Sequence, residues 1–258
     1  MNRKKRLALT ALCSVVLLLA LAGCSKKEEA PSEEAAAPAA KATPIDPNTV
    51  ATVSGSIKLE GTAPKAKKID MSQDPACSGG MGMTETVVSE GGNLANVFVY
   101  VKEGLGDRTF AVPTESATLD QHGCHYVPHV LGVMAGQTVT ILNSDPTTHN
   151  IHPSPKNNKE WNESQAPKAS PLEKSFAREE VLLPVKCNQH PWMKMYVGVV
   201  KSPFFAVSGK DGKFTITGLP PGKYTIAAVH ETLGEQDTQV EVGPKESKTA
   251  DFSFKVAQ

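Results

Sequence analysis

From residue 50 onward, apolar and polar positions alternate with a period of two, the signature of half-buried strands. Val53–Leu59 and Asn96–Val101 carry the first two runs. Gln137–Leu142 follows an Ala135-Gly136 turn, and Lys213–Thr217 follows Asp211-Gly212, a favourable hairpin pair. Lys223–Val229 follows Pro220-Pro221-Gly222, and Thr238–Val242 and Thr249–Phe254 complete the series. Only Gln165–Val181 leaves room for a short helix. Asn143–Ala169, rich in Pro, Asn, Ser and Lys, predicts a long loop. The expectation is an all-β chain.

The first 49 residues break this pattern. Arg3-Lys4-Lys5-Arg6 precedes Leu7–Leu21, an apolar or small stretch of 15 residues. That is short for a spanning helix, which needs about 20, and reads as a signal peptide. It ends in Leu21-Ala22-Gly23-Cys24, which resembles the bacterial lipobox. The resemblance implies cleavage of residues 1–23 and lipidation of Cys24. Acyl chains hold a soluble domain at a bilayer through about 0.8 kcal/mol per buried CH₂. An uncleaved signal anchor is the other reading. Residues 24–49 contain almost no branched apolar side chain and predict a disordered tether. Residues 25–48 would span roughly 27 Å as a flexible coil. The expected location is the cell envelope of a bacterium, lipid-anchored to the inner or outer membrane and facing the periplasm.

Charge and aromatic content sharpen the picture. The chain has 27 Lys+Arg and 27 Asp+Glu. Four of the basic residues lie in the signal, so the chain without residues 1–23 has 23 basic and 27 acidic residues, a net −4. No basic stripe suggests nucleic acid. No aromatic residue precedes Phe98, so the first strands need core partners from elsewhere in the chain.

Six of the seven His lie between residues 122 and 190. The sharpest pattern is Cys187-Asn-Gln-His190-Pro-Trp192-Met193-Lys-Met195, with Asn143-Ser-Asp-Pro-Thr-Thr-His149-Asn150 upstream. A thiolate, two imidazoles and a thioether suit copper. Soft sulfur favours Cu(I), and imidazole serves both oxidation states. Over residues 116–200 the sequence resembles the cupredoxins, the blue-copper family. The resemblance implies a Greek-key β-sandwich with one type 1 copper site. It assigns His149, Cys187, His190 and Met195 as ligands, with Met193 as the alternative axial group. The Asn150 side chain would join the two ligand loops without binding the metal itself. The second ligand His of this family is commonly exposed, so His190 and Trp192 would mark the partner-facing edge.

Other readings fit less well. Covalent haem needs Cys-x-x-Cys-His, structural zinc needs more Cys, and no local signature supports a cysteine nucleophile. The expectation is therefore not an enzyme. His122, His125 and His129 surround Cys124 and read as loop and surface residues, with a second metal as the alternative. His152 reads as pointing off the His149 face, and His230 as structural. Export favours a Cys77–Cys124 disulfide, with two buried free thiols as the alternative. The bridge would close a loop of roughly 48 residues, worth about 4 kcal/mol in the entropy model.

Phe204–Val229, with its Asp211-Gly212 and Pro220-Pro221-Gly222 turns, resembles the carboxypeptidase regulatory-like domain, a small transthyretin-like, Ig-like sandwich and a non-catalytic module. Residues 203–258 are short for it, and Val53–Leu59 and Ala95–Val101 look like its opening strands. The expected organisation is a signal at 1–23, a tether at 24–49, a discontinuous sandwich at 50–110 plus 203–258, and a cupredoxin domain at 111–202. Two consecutive domains are the simpler alternative. The expected function is a membrane-anchored blue-copper electron carrier working with redox protein partners. The alternatives are a copper carrier or sensor, or a non-redox binding or scaffold lipoprotein.

Overall fold

The structure is a computed structural model that describes residues 41–78 and 82–256. The expected signal peptide, Cys24 and residues 24–40 of the tether lie outside the described residues. No helix among the described residues is long and apolar enough to cross a membrane.

The described residues form nineteen strands. First come β1 (Ala51–Glu60), β2 (Ser89–Glu90), β3 (Asn93–Leu94) and β4 (Phe98–Glu103). Next are β5 (Ala117–His122), β6 (His125–Val127), β7 (Val130–Met134), β8 (Val139–Asn143) and β9 (His149–Pro153). They are followed by β10 (Glu163–Gln165), β11 (Leu172–Lys174), β12 (Glu180–Lys186) and β13 (Lys194–Val200). The chain closes with β14 (Phe205–Val207), β15 (Lys213–Leu219), β16 (Gly222–His230), β17 (Gly234–Val242), β18 (Ser247–Thr249) and β19 (Phe252–Lys255). The fold is all-β, built of sandwiches.

In the first sandwich β1 is the spine. It pairs antiparallel with β15 and parallel with β18 and β19. A Cβ on Gly55 would overlap the Ala250 carbonyl, so glycine is what lets the β18–β19 junction lie against β1. That junction splits the predicted Thr249–Phe254 run: the Asp251 carboxylate turns aside to accept from the Ser56 amide at 2.8 Å. The facing sheet runs β14-β4-β16-β17. Val53, Ile57, Leu59, Val97, Val99 and Val101 pack between the sheets against Phe204, Phe214, Tyr224, Phe252 and Phe254. The aromatic deficit of the early strands is thus met by C-terminal side chains.

The second sandwich stacks β10-β9-β12-β13-β7 on β11-β8-β5-β6. Two expectations fail here. Asn143–Ala169 contains β9 and β10, and Gln165–Val181 contains β11 rather than a helix. Buried amides hold these polar stretches in register. Asn143 Nδ2 donates to the Thr147 and Gln165 carbonyls, and Gln165 Nε2 to the Ile141 and Ser170 carbonyls. Composition alone makes such residues look like loop.

Two boundaries also move. Residues 41–49 are not free tether: the Thr43 amide donates to the Thr109 carbonyl at 2.8 Å, and Ile45 packs on the first core. Between β1 and β2 the chain crosses to the second sandwich, where Met71 and Cys77 join its core with Ile69 packed against it. Cys77 is bonded to Cys124, in the β5–β6 turn, with Cα atoms 5.7 Å apart. A third cluster, Phe98, Val130 and Val200, joins β4 to β7 and β13.

Candidate metal centre

The β12–β13 hairpin builds most of the site. Its ladder pairs Val185 with Met195 and Lys186 with Lys194. One step further, the Cys187 amide donates to the Met193 carbonyl at 3.2 Å, and the Met193 amide to the His190 carbonyl at 2.9 Å. Cys187–Met193 is therefore a closed loop with little freedom. β9 lies on the other side of β12, pairing His152 with Lys186, and so delivers His149, its first residue. His149 Nδ1 stands 2.8 Å from His190 Nδ1, which stands 3.7 Å from Cys187 Sγ. The three side chains are 0%, 4% and 2% exposed as residues, so water has little access. Cys187 is the free cysteine of the described residues.

Asn150 ties the His149 strand to the Cys187–His190 loop. Its side-chain oxygen accepts from the Asn188 amide at 2.7 Å and from the Cys187 thiol at 3.2 Å. The Asn150 and His190 amides both point at the sulfur from 3.4 Å. A thiolate there would have two N–H donors to stabilise its charge. The Tyr126 hydroxyl donates to the Asn150 carbonyl. Burial, with Cys187 nearby, drives that hydroxyl's pKa well above its ordinary value.

Two aspartates complete the arrangement, and the sequence reading named neither. Asp145 accepts from His149 Nε2 at 2.8 Å and from the Gly123 and Cys124 amides, both at 2.7 Å. Asp74 accepts from His190 Nε2 at 2.9 Å, the Thr147 hydroxyl at 2.7 Å and the Ala76 amide at 2.8 Å. Hydrogen bonds from Thr147 and the Ala76 amide, more than the His190 contact, hold the Asp74 carboxyl below its usual range. Burial pushes the His149 imidazole below the ordinary histidine value, against the pull of Asp145. Asp145 stands four residues before His149 and could have been noticed there. Asp74 is 116 residues from His190, and no local signal marks it.

The remaining predicted residues fall as follows. The ladder sets Met193 directly across from Cys187, whereas Met195 faces Val185. Both methionines are fully buried. The expectation of an exposed His190 edge is corrected: Asp74 covers it. Trp192 is half-buried, its indole N–H donating to the Cys124 carbonyl at 3.1 Å. His152 lies off the ligand set, contacting Glu160 and Asn188. His122 is exposed, but His129 is buried, 2.8 Å from Glu231, and is not a surface residue. His230 is buried and accepts from the Thr232 and Leu233 amides through Nδ1.

The donor set fits copper. His149, Cys187 and His190 bring their donor atoms within 4.8 Å of one another. Both Nε2 atoms are committed to carboxylates, so the Nδ1 lone pairs are what remain for a cation beside the thiolate. Two overlapping groups, Asp74-Cys77-His190 and Cys124-Asp145-His149, offer no thiolate because their cysteines form the disulfide.

No family model matches the chain, and no curated relative matches it. Among solved structures it is similar to cupredoxins. A purple cupredoxin from Nitrosopumilus maritimus is 26% identical with a TM-score of 0.28, over 33% of this chain and 99% of that one. A reduced amicyanin variant is 21% identical with a TM-score of 0.30, over 39% of this chain and 97% of that one. The copper-containing nitrite reductase of Thermus scotoductus SA-01 is 19% identical with a TM-score of 0.32, over 38% of this chain, which spans only 24% of that enzyme.

Proposed function

We propose that this chain is a membrane-anchored type 1 copper protein that passes single electrons between redox proteins outside the cytoplasm. The observation that supports this most is the buried Cys187 thiol facing the Nδ1 atoms of His149 and His190. Copper held there would supply a one-electron couple. The residues keep the site rigid: Cys187 and His190 sit on a hydrogen-bonded loop, His149 begins a paired strand, and Asn150 locks the two together. A fixed ligand frame limits rearrangement between oxidation states, which is what electron transfer requires. Met193, directly across from Cys187, would offer copper its thioether, because cross-strand neighbours stand about 5 Å apart at Cβ; Met195 is the alternative. Lipid on Cys24 would hold the protein at the membrane. Residues 50–110 plus 203–258 would form a carboxypeptidase regulatory-like sandwich around the copper domain.

The test is the visible spectrum of the Cu(II)-loaded protein. An intense thiolate-to-copper band, lost in Cys187→Ser, is expected. A colourless protein that leaves Cu(II) free overturns the proposal. The covering of His190 favours a second reading, a copper carrier that exchanges no electrons. A reversible voltammetric wave separates the two, since a carrier would give none.

A further inference from the structure

The segment between β1 and β2 leaves the first sandwich, packs Met71 and Cys77 into the second core and places Asp74 on the outer edge of His190. We propose that Asp74 is a positioning residue for the metal: it holds His190 by Nε2, keeps Nδ1 turned toward the Cys187 thiolate, and seals the edge of that imidazole from water. The inference rests on the copper reading for its effect on the metal, but not for its effect on the ring.

Three observations carry it. Geometry is the first: Asp74 Oδ2 lies 2.9 Å from His190 Nε2, while the same oxygen accepts from Thr147 at 2.7 Å and Oδ1 from the Ala76 amide at 2.8 Å. The carboxylate is thus itself fixed, as a group that orients another must be. Burial is the second: the His190 side chain is only 5% exposed and that of Asp74 21%, so the acid and not solvent covers the ring. Tethering is the third: Cys77, three residues on, is bonded to Cys124, whose amide and carbonyl already hold Asp145 and Trp192. The bridge fixes the segment to the turn whose amides hold the other aspartate. Thr147 belongs to the loop leading into His149, so Asp74 also links the His149 loop to the His190 loop.

A carboxylate on the far side of a ligand imidazole raises its basicity and adds negative charge near the metal. Both effects favour Cu(II) over Cu(I). Removing the charge should therefore raise the midpoint potential. Loss of such an outer contact typically costs 10–100-fold in metal affinity. A tenfold loss of Cu(II) relative to Cu(I) corresponds to about 59 mV for a one-electron couple.

Two measurements on the full chain decide the matter, using wild type, the isosteric Asp74→Asn and Asp74→Ala. In the metal-free protein, nitrogen-15 NMR should show a proton on His190 Nε2 that exchanges slowly with water in wild type and rapidly in Asp74→Ala. A wild-type proton that exchanges as fast as that of exposed His122 overturns the proposal. In the copper-loaded protein, both variants should keep the thiolate band while Cu(II) affinity falls about tenfold and the potential rises. Potentials and affinities equal to wild type in both variants also overturn it. A wild type that takes up no copper defeats the functional reading instead, and the exchange of the Nε2 proton then still decides the role of Asp74.

Discussion

Cys187, His190 and Met193 sit within seven residues of one another, so their chemistry could be read directly from the sequence. Spacing alone could not rank Met193 against Met195, because the two are separated by a single residue and both are fully buried. The register favours Met193 in the proposed site, since the Cys187 amide donates to the Met193 carbonyl while Met195 faces Val185. Met193→Leu should therefore alter the absorption and the potential of the copper-loaded protein. Met195→Leu should leave both in place and cost less than about 1.5 kcal/mol in stability, as volume-conserving core swaps do. Spectra and melts of the two variants check this. The opposite pattern would restore Met195 as the axial group. The aspartates show the limit of local reading. Asp74 has the same sequence surroundings as any exposed turn residue, and only the path of the chain brings it to His190.

Strands were legible where alternation was apolar and illegible where it was polar. β1, β15 and β16 follow their predicted runs within a few residues. β9 and β10 were not legible because their buried positions include His149, Asn150 and Gln165, whose side chains are satisfied by hydrogen bonds and not by burial of hydrocarbon. β13 shows the other face of the problem. Its Gly198, paired with Gly132 of β7, looks like a weakness in a strand. A Cβ there would lie 2.6 Å from ring atoms of Phe98, so the glycine is what allows β4 to close on β13. Gly198→Ala should cost about 1–3 kcal/mol through overpacking. For a chain of this size that lowers the melting temperature by about 2–4 °C per kcal/mol. Calorimetry measures it, and an unchanged melt would show that Phe98 can move aside freely.

At the scale of the molecule, stability should depend on pH through its buried histidines. Burial lowers the pKa of His230, and that of His149 in the metal-free protein. The folded state then binds protons less readily than the unfolded chain, whose histidines titrate near 6.5. Stability is fully present above about pH 6.5 and declines as pH falls through the lower folded values. Melts between pH 8 and pH 5 should show this decline, and it should be shallower in His230→Asn. An equal slope in the variant would remove His230 from the account. The sequence foreshadowed the molecular plan through an absence: no aromatic before Phe98 meant that the early strands borrowed a core, which β15, β16 and β19 provide. Beyond the expected Cys77–Cys124 pairing, it gave no sign that residues 69–77 serve the other core, because a short polar stretch with one Met and one Cys carries no periodicity.

The Cys77–Cys124 bridge also bears on the order in which the protein matures. A chain still in a reducing compartment has both thiols free, and nothing covalent holds the Asp74 segment over His190. The bridge, once formed, fastens that segment over His190, so a metal passing that edge of the ring would have to move a stapled cover. If copper is the occupant, loading is easiest before the bridge closes, and the bridge then acts as a latch that slows its escape. Oxidative folding would thus double as the step that commits the metal.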